Sequence, residues 1–380
     1  MKAVAAFLTP EHRELWQRVT DWAQQTLRPR REPASDDEAR QEAKTLLQEI
    51  GRAGWLQALE SQDLRSVCLI REAIAAASPL ADAVVAIQGL GATALVLGGT
   101  SDQKSQWLRG ITSGDVMAAF AMTEPEAGSD VASLKTTARR DSSGWVLDGE
   151  KHLISNAGIA DVYAVFARTS PGSGSRGISA FWVPSHTQGL IFDGAQVLAA
   201  AHPLGRIRLQ HCRVHESALI GEIDRGFKLG MRTLDRLRPT VGAAACGMAS
   251  RALEEAVAHA QQRRQFGQTL AEMPVVREKV GQIATVLDAA RLLVYRAAWE
   301  QATGEERISR SAAMAKLFAT EMAQRVVDES VQILGGSGVL VGHPVERLYR
   351  SVRALRIYEG ASDIQRLIVA ASVFDEAGKA

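Results

Sequence analysis

The sequence predicts a mainly helical α+β protein, helical at both ends and β in the middle, and three changes of pattern predict it. From Met1 to about residue 115 the chain is rich in Ala, Leu, Gln and Glu, the residues that favour helices. From about 116 to 222 short runs of β-branched and aromatic residues (Trp145 to Leu147, Val162 to Ala167, Ile178 to Val183) alternate with Gly, Ser, Asp and Pro. From about 223 to 380 a strong helical period returns. Domains 1–115, 116–222 and 223–380 follow, and 380 residues at roughly 150 per domain agree with two or three. A chain of this length can bury its core without disulfides or structural metal.

In the first part, breaks at Pro29 to Pro33, Gly51 to Gly54 and Gly98 to Thr100 cut the helical pattern into short helices. No residue from Ala83 to Ser101 is charged, which is nearly enough to span a bilayer. Gly89, Gly91, Gly98, Gly99, Gln88 and Thr93 interrupt it and Asp82 and Asp102 bracket it, so a buried helix without membrane insertion is expected. Gly89-Leu-Gly-Ala-Thr-Ala94 matches the short dinucleotide fingerprint GxGxx[GA]. No β-type run follows between Gln103 and Gly114, so the glycines are read as room for close helix packing or a ligand tail.

In the middle part, Asp148-Gly149 between apolar runs predicts a type I′ hairpin, and Arg168 to Gly177, with its Gly, Ser and Pro, a mobile surface loop. In the last part Val276, Val280, Ile283, Ala284, Leu287, Ala290, Val294 and Ala297 fall on one face of a long helix. Ala249, Leu253, Ala256, Val257 and Ala260 repeat the pattern before it, and Ser311 to Leu334 supplies a third helix, so a helical bundle is expected.

Composition excludes several classes of function. Lys plus Arg is 44 against 43 Asp plus Glu, a net charge of +1 with no basic run to track phosphates, so nucleic acid is not a partner. The three cysteines, Cys68, Cys212 and Cys246, show no CxxC spacing, which fits free thiols in a reducing cytoplasm. Glu11 to Glu14 follow the first apolar patch at once, leaving no room for a signal peptide. His211-Cys212-x-x-His215 lacks a second ligand pair, so no metal site is expected, and no GxSxG elbow marks a nucleophilic serine.

Two segments carry chemistry. Ala121-Met-Thr-Glu-Pro-Glu-Ala-Gly-Ser-Asp130 joins a hydroxyl to a turn whose amides can form an anion-binding nest, or is simply a capped turn. Arg356-Ile-Tyr-Glu-Gly-Ala-Ser-Asp-Ile-Gln-Arg366 sets Glu359 beside Gly360, and taken alone reads as a solvated carboxylate paired with Arg353 or Arg356.

Taken in order, Met122-Thr-Glu-Pro-Glu-Ala-Gly-Ser-Asp130, Gln262-Arg-Arg-Gln-Phe-Gly267, Val331-Gln-Ile-Leu-Gly-Gly336 and Ile357-Tyr-Glu-Gly-Ala-Ser-Asp-Ile-Gln-Arg366 resemble the acyl-CoA dehydrogenase family, of short- or medium-chain type. Leu234-Asp-Arg-Leu-Arg-Pro239 and Pro344-Val-Glu-Arg347 add to the match, which runs from about Pro10 to Ala371. The resemblance implies a helical N-terminal domain, a β-barrel or sandwich in the middle and a C-terminal four-helix bundle. It implies FAD as cofactor, a homotetramer built as a dimer of dimers, or else a homodimer, and an electron-transfer flavoprotein as acceptor.

The activity implied is α,β-dehydrogenation of an acyl-CoA to the trans-2-enoyl-CoA, a carboxylate removing the α-proton while a hydride leaves the β-carbon for flavin N5. By motif the base is Glu359, because the alternative position used by some relatives is Leu237 here. Cofactor contacts are implied for Phe120, Met122, Thr123, Gly128, Ser129, Leu153, Ile154, Ser155, Ala361 and Asp363. Arg263, Phe266, Gln332, Gly335 and Gly336 are implied to reach a neighbouring subunit's FAD. Ser129, Asp235, Arg238, Tyr358 and Gly360 are implied at the substrate. Leu153 stands where the family has a flavin-covering Trp, Ala361 where it more often has Thr, and Leu204-Gly205-Arg206 is all that is kept of a longer family segment. The same fold also serves an acyl-ACP dehydrogenase of a specialised, polyketide-type pathway, a flavin oxidase and a desulfinase, which stay as alternatives.

Overall fold

The computed structural model describes residues 1–60, 63–305 and 308–377. Five helices come first: α1 (Pro10–Thr26), α2 (Asp36–Arg52), α3 (Leu64–Ala77), α4 (Pro79–Gly98) and α5 (Ser101–Ser113). Then come β1 (Ala118–Ala121), β2 (Thr137–Asp141), β3 (Gly144–Ser155), β4 (Val162–Arg168), β5 (Ile178–Pro184), β6 (Leu190–Ala195), β7 (Leu204–Val214) and β8 (Leu219–Ile220). After α6 (Gly226–Gln262) a small hairpin, β9 (Arg264–Gln265) and β10 (Gln268–Thr269), leads to α7 (Pro274–Ala302), α8 (Ser309–Leu334), α9 (Pro344–Leu355) and α10 (Ser362–Ala377).

The helix ends sit where the sequence punctuates them. Ser35 caps α2 by accepting from the Glu38 amide at 3.1 Å, with Asp36, Asp37 and Glu38 in the first turn where the helix dipole favours negative charge. Thr100 and Gln103 form a reciprocal capping box on α5, which Gly114 closes in a left-handed conformation.

Contacts divide the chain into two compact units. One comprises Met1–Glu32, Gln62–Asp82 and Arg238–Ala380, the other Pro33–Ser61 and Ala83–Leu237. In the first, the bundle helices bury the face expected of them: Val276, Ile283, Leu287, Ala290, Val294 and Ala297 of α7 are buried, whereas Val280 is half-buried and Ala284 exposed.

In the second unit, α4 is the uncharged stretch. Among the described residues it is the helix long and apolar enough to cross a membrane by length and composition, and 78% of that window is buried. Its one long polar side chain, Gln88, is buried but satisfied, donating to the carbonyls of Ile111 and Val116 and accepting from the Ala118 amide. Gly91 lets α4 approach β1 closely, since a Cβ there would lie 2.5 Å from the Cβ of Ala118. The fingerprint-like glycines thus serve packing, as read from the sequence.

The middle of the chain forms one mixed sheet in the order β6-β7-β3-β2-β4-β5-β8, with β1 running parallel to β4. The expected hairpin at Asp148-Gly149 is not there. Those residues lie inside β3 at a bulge opposite β7, where the Asp148 carboxylate accepts from the His211 amide at 2.7 Å. Gly149 has φ +150°, and a Cβ would meet Thr136 at 2.6 Å, so its freedom is spent on a close approach within a strand. The real turn joins β2 to β3 through Ser142 and Ser143, closed by Asp141 accepting from the Ser143 amide. Residues 169–177 form a largely exposed connection from β4 to β5, as placed from the sequence.

Candidate active site

The turn between α9 and α10 holds Glu359. The amides of Ile357 and Tyr358 both return to the Ala354 carbonyl and the Ser362 amide to that of Arg356, so the chain reverses within a few residues. The reversal requires consecutive left-handed residues, Glu359 at φ +54° and Gly360 at φ +93°. At Gly360 a Cβ would lie 2.4 Å from Gln365 Nε2, so any larger residue must displace that side chain as well as take up a left-handed backbone. For Glu359 the conformation is strained, and it is held from outside: Arg238 Nε donates to the Glu359 carbonyl at 3.4 Å. Lys316 Nζ and Gln365 Nε2 each donate to the Gly360 carbonyl at 2.9 Å.

Among the described residues the amides of Glu359 and Gly360 have no acceptor, which makes them a pair of N–H groups available to a ligand oxygen. The Glu359 carboxylate is likewise uncommitted: Oε2 is cut off from solvent and has no hydrogen-bond partner. Burial pushes its pKa up to about 7, against the pull of Arg71, Lys316 and Arg238 and with some help from Asp82. The solvated pairing read from the segment alone is therefore wrong, because Arg356 goes instead to Glu321 at 2.7 Å.

Beneath the turn lies a buried pair, Arg71 of α3 and Asp82 in the first turn of α4. Arg71 donates through Nε and Nη2 to the two oxygens of Asp82 at 2.8 and 2.9 Å, and through Nη1 to Thr240 at 2.8 Å. Burial raises the pKa of Tyr358, with the Arg71 charge pulling the other way. Local sequence does not announce Arg71, Lys316 or Gln365 as part of this cluster. The signal that exists is charge inside the wholly buried run of α3, which only a satisfied pair permits.

The second unit places the other implied positions. Phe120 of β1 packs against Phe166, ring centroids 4.8 Å apart, and Met122 and Ile154 are buried in the core. Thr123 lies half-buried, and its carbonyl takes the His152 amide. Glu124 accepts from the amides of Lys135 and Thr136 and from Lys151 Nζ at 2.7 Å, which explains the turn that follows. That turn leaves Gly128 and Ser129 exposed, and a Cβ on Gly128 would meet nothing within 4 Å. Leu153 is 49% exposed at φ +54°, its amide donating to Gln196. Ser155 is engaged with His202, 2.7 Å from Nε2, and burial pushes that imidazole down to about 4, so it stays neutral.

Arg263, Phe266, Gln332, Gly335 and Gly336 are all exposed, Phe266 by 94%. A small cluster of Ala256, Ala260, Val276 and Ile333 packs the segments that carry them together. Asp235 is half-buried on α6, three residues before Arg238. Ala361 is half-buried, and Asp363 is exposed and pairs with Arg366 at 2.6 Å. Among the described residues no cluster of His, Cys, Asp or Glu could hold a metal.

Within this helical–β–helical chain, the described residues leave one buried carboxylate oxygen, Glu359 Oε2, without a partner. Residues 9–115, 119–216 and 224–374 match the N-terminal, middle and C-terminal domains of acyl-CoA dehydrogenase. A 3-(aryl)acrylate reductase of Clostridium sporogenes is 35% identical over 379 residues, covering 97% of this chain and 99% of that protein. The structure of butyryl-CoA dehydrogenase from Megasphaera elsdenii matches with a TM-score of 0.90 at 29% identity, over 97% of this chain and 99% of that one. PigA with FAD and proline matches at 0.88 and 25% identity, over 96% and 98%. The chain belongs to the acyl-CoA dehydrogenase family. It is an oxidoreductase acting on the CH–CH bond of acyl-CoA, and FAD is the cofactor that membership implies. The residues present fit that group, for the open space at Gly128, Gly335 and Gly336 leaves backbone accessible to a polar edge or phosphate.

Proposed function

We propose that Glu359 is the base that removes the α-proton of an acyl thioester, and the observation that carries this reading is its buried, unpaired Oε2. An α-C–H is a weak acid, so the thioester carbonyl must be polarised as the proton leaves; the open amides of Glu359 and Gly360 lie on the same turn to do it. The α-proton passes to the carboxylate, the C–H electrons become the new C=C bond, and a hydride leaves the β-carbon. FAD, when bound, supplies the acceptor for that hydride. Phe120, Met122, Thr123, Gly128, Ser129, Leu153, Ile154, Ser155, Ala361 and Asp363 are the residues proposed to hold it, with Met122 and Ile154 contributing backbone because their side chains are in the core. Ser129, Asp235, Arg238, Tyr358 and Gly360 are proposed to serve the substrate.

An uncovered Phe266, with Arg263, Gln332, Gly335 and Gly336 beside it, supports a homotetramer or homodimer in which these residues complete a neighbour's cofactor site. Electron-transfer flavoprotein is the proposed acceptor, and the three buried free cysteines suit a reducing cytoplasm. A second reading concerns direction: the reductase name of the C. sporogenes relative favours hydrogenation of a 2,3-unsaturated acyl group by the same residues.

The test is an anaerobic absorbance titration of the flavin-loaded protein with saturated acyl-CoAs from short to long and with 3-phenylpropionyl-CoA, beside the Glu359→Gln variant. Bleaching of the flavin band in the wild type and none in a variant that keeps its flavin supports the base. An equal response from both sinks it. A band that only ACP thioesters bleach moves the carrier to ACP.

A further inference from the structure

Glu359 faces more positive charge than negative. Arg71 comes from α3, Arg238 from α6 and Lys316 from α8; Asp82 comes from α4, neutral Gln365 from α10 and Tyr358 from the turn itself. Glu321 of α8 acts on Lys316 but is engaged with Arg356 and Ser362. A buried carboxylate within reach of three cations ordinarily closes an ion pair, and such a pair would extinguish a base. Here each cation is turned aside. Lys316 donates to the Gly360 carbonyl, Arg238 to the Glu359 carbonyl, and Arg71 to Asp82 and Thr240.

Arg71 is held by a carboxylate. Asp82 takes two of its N–H groups in a fork and Thr240 a third. Stability alone does not explain such a pair, because apolar residues of similar volume serve a buried site as well or better. We propose that Asp82 is a positioning residue: by gripping Arg71 it keeps the guanidinium off Glu359 and leaves that carboxylate free to work. The inference rests on the reading of Glu359 as the base, and it names what keeps that base available.

Asp82→Asn releases Arg71, and the expected result is a kcat lower by about tenfold or more, with the acid limb of the kcat/KM profile moved down by about one pH unit as Arg71 closes on Glu359. Arg71→Gln/Asp82→Asn removes both charges: kcat returns to within about threefold of wild type and the acid limb moves above the wild-type position, because the cation that pulled it down is gone. Carboxyl 13C titration of glutamate-labelled protein, with Glu359 assigned by its loss in Glu359→Gln, reads the same two shifts without turnover. Wild-type kcat and titration in Asp82→Asn overturn the proposal, as does a double variant no better than the single one. If the single variant fails to fold, the double variant decides alone: a Glu359 titration moved upward supports the proposal, and one unmoved or lowered overturns it. Failure of the base reading is separate, since it shows as wild-type turnover in Glu359→Gln, while the carboxyl titration reports the grip on Arg71 either way.

Discussion

Glu124 and Glu359 are both carboxylates near a buried lysine, and they end in opposite states. Lys151 aims its ammonium at Glu124, two amides complete the set, and despite the upward push of burial the Glu124 pKa is lowered. Lys316, buried as deeply, spends its ammonium on a backbone carbonyl, and Glu359 is pushed up to about 7. Burial holds both lysines down to about 8, so the cations are alike. What separates the paired carboxylate from the unpaired one is where the donors point, not how many charges are near.

The sharpest break of this contrast is to neutralise each carboxylate in turn. Glu359→Gln is expected to cut turnover by about 10^3-fold or more, the scale of a lost general base, with no loss of thermal stability; single-turnover flavin bleaching measures the first and calorimetry the second. Glu124→Gln is expected to do the reverse first, leaving Lys151 buried without a counter-charge and costing about 3 kcal/mol in urea unfolding. If Glu124→Gln were neutral to stability, the two sites would not differ as described.

The contrast also has a pH signature. A folded-state pKa above the unfolded value means that Glu359 costs no stability below the unfolded pKa of about 4.5 and progressively more as pH rises through about 7. Glu359→Gln should therefore gain about 3 kcal/mol at pH 8 and nothing near pH 4, read from paired denaturation curves. Smallest is Gly360→Ala, whose Cβ must push Gln365 aside from a left-handed backbone, expected to cost about 1 kcal/mol while slowing turnover more than it lowers melting temperature.

The layered order of helix, sheet and helix was legible in composition and period, because both report which face of an element is buried. Where the sequence misled, a local signal was put to a non-local use. Asp148-Gly149 has the chemistry of a turn, but β7 needed a bulge beside it and β3 runs on through. Weakly apolar strands such as β2 (Thr-Ala-Arg-Arg-Asp) carry no alternation to read, since only Ala138 of the five is buried. Glu359 was legible as a motif, whereas its surroundings were not. Arg71 and Asp82 sit on consecutive helices, but Arg238 and Lys316 come from helices far along the chain, and no spacing rule links them to the turn.

The unit that holds Glu359 is assembled from three separate stretches of chain, with the other unit's residues inserted between them. Synthesis runs from the N-terminus, so Arg71 and Asp82 leave the ribosome long before Thr240, Arg238, Lys316 or the turn they serve. The inserted unit can complete its sheet while those two charges still wait for their third partner, 169 residues downstream of Arg71. A truncated or stalled chain thus exposes an unfinished buried ion pair, not a half-built active site. The last stretch made supplies the partners that the waiting charges lack.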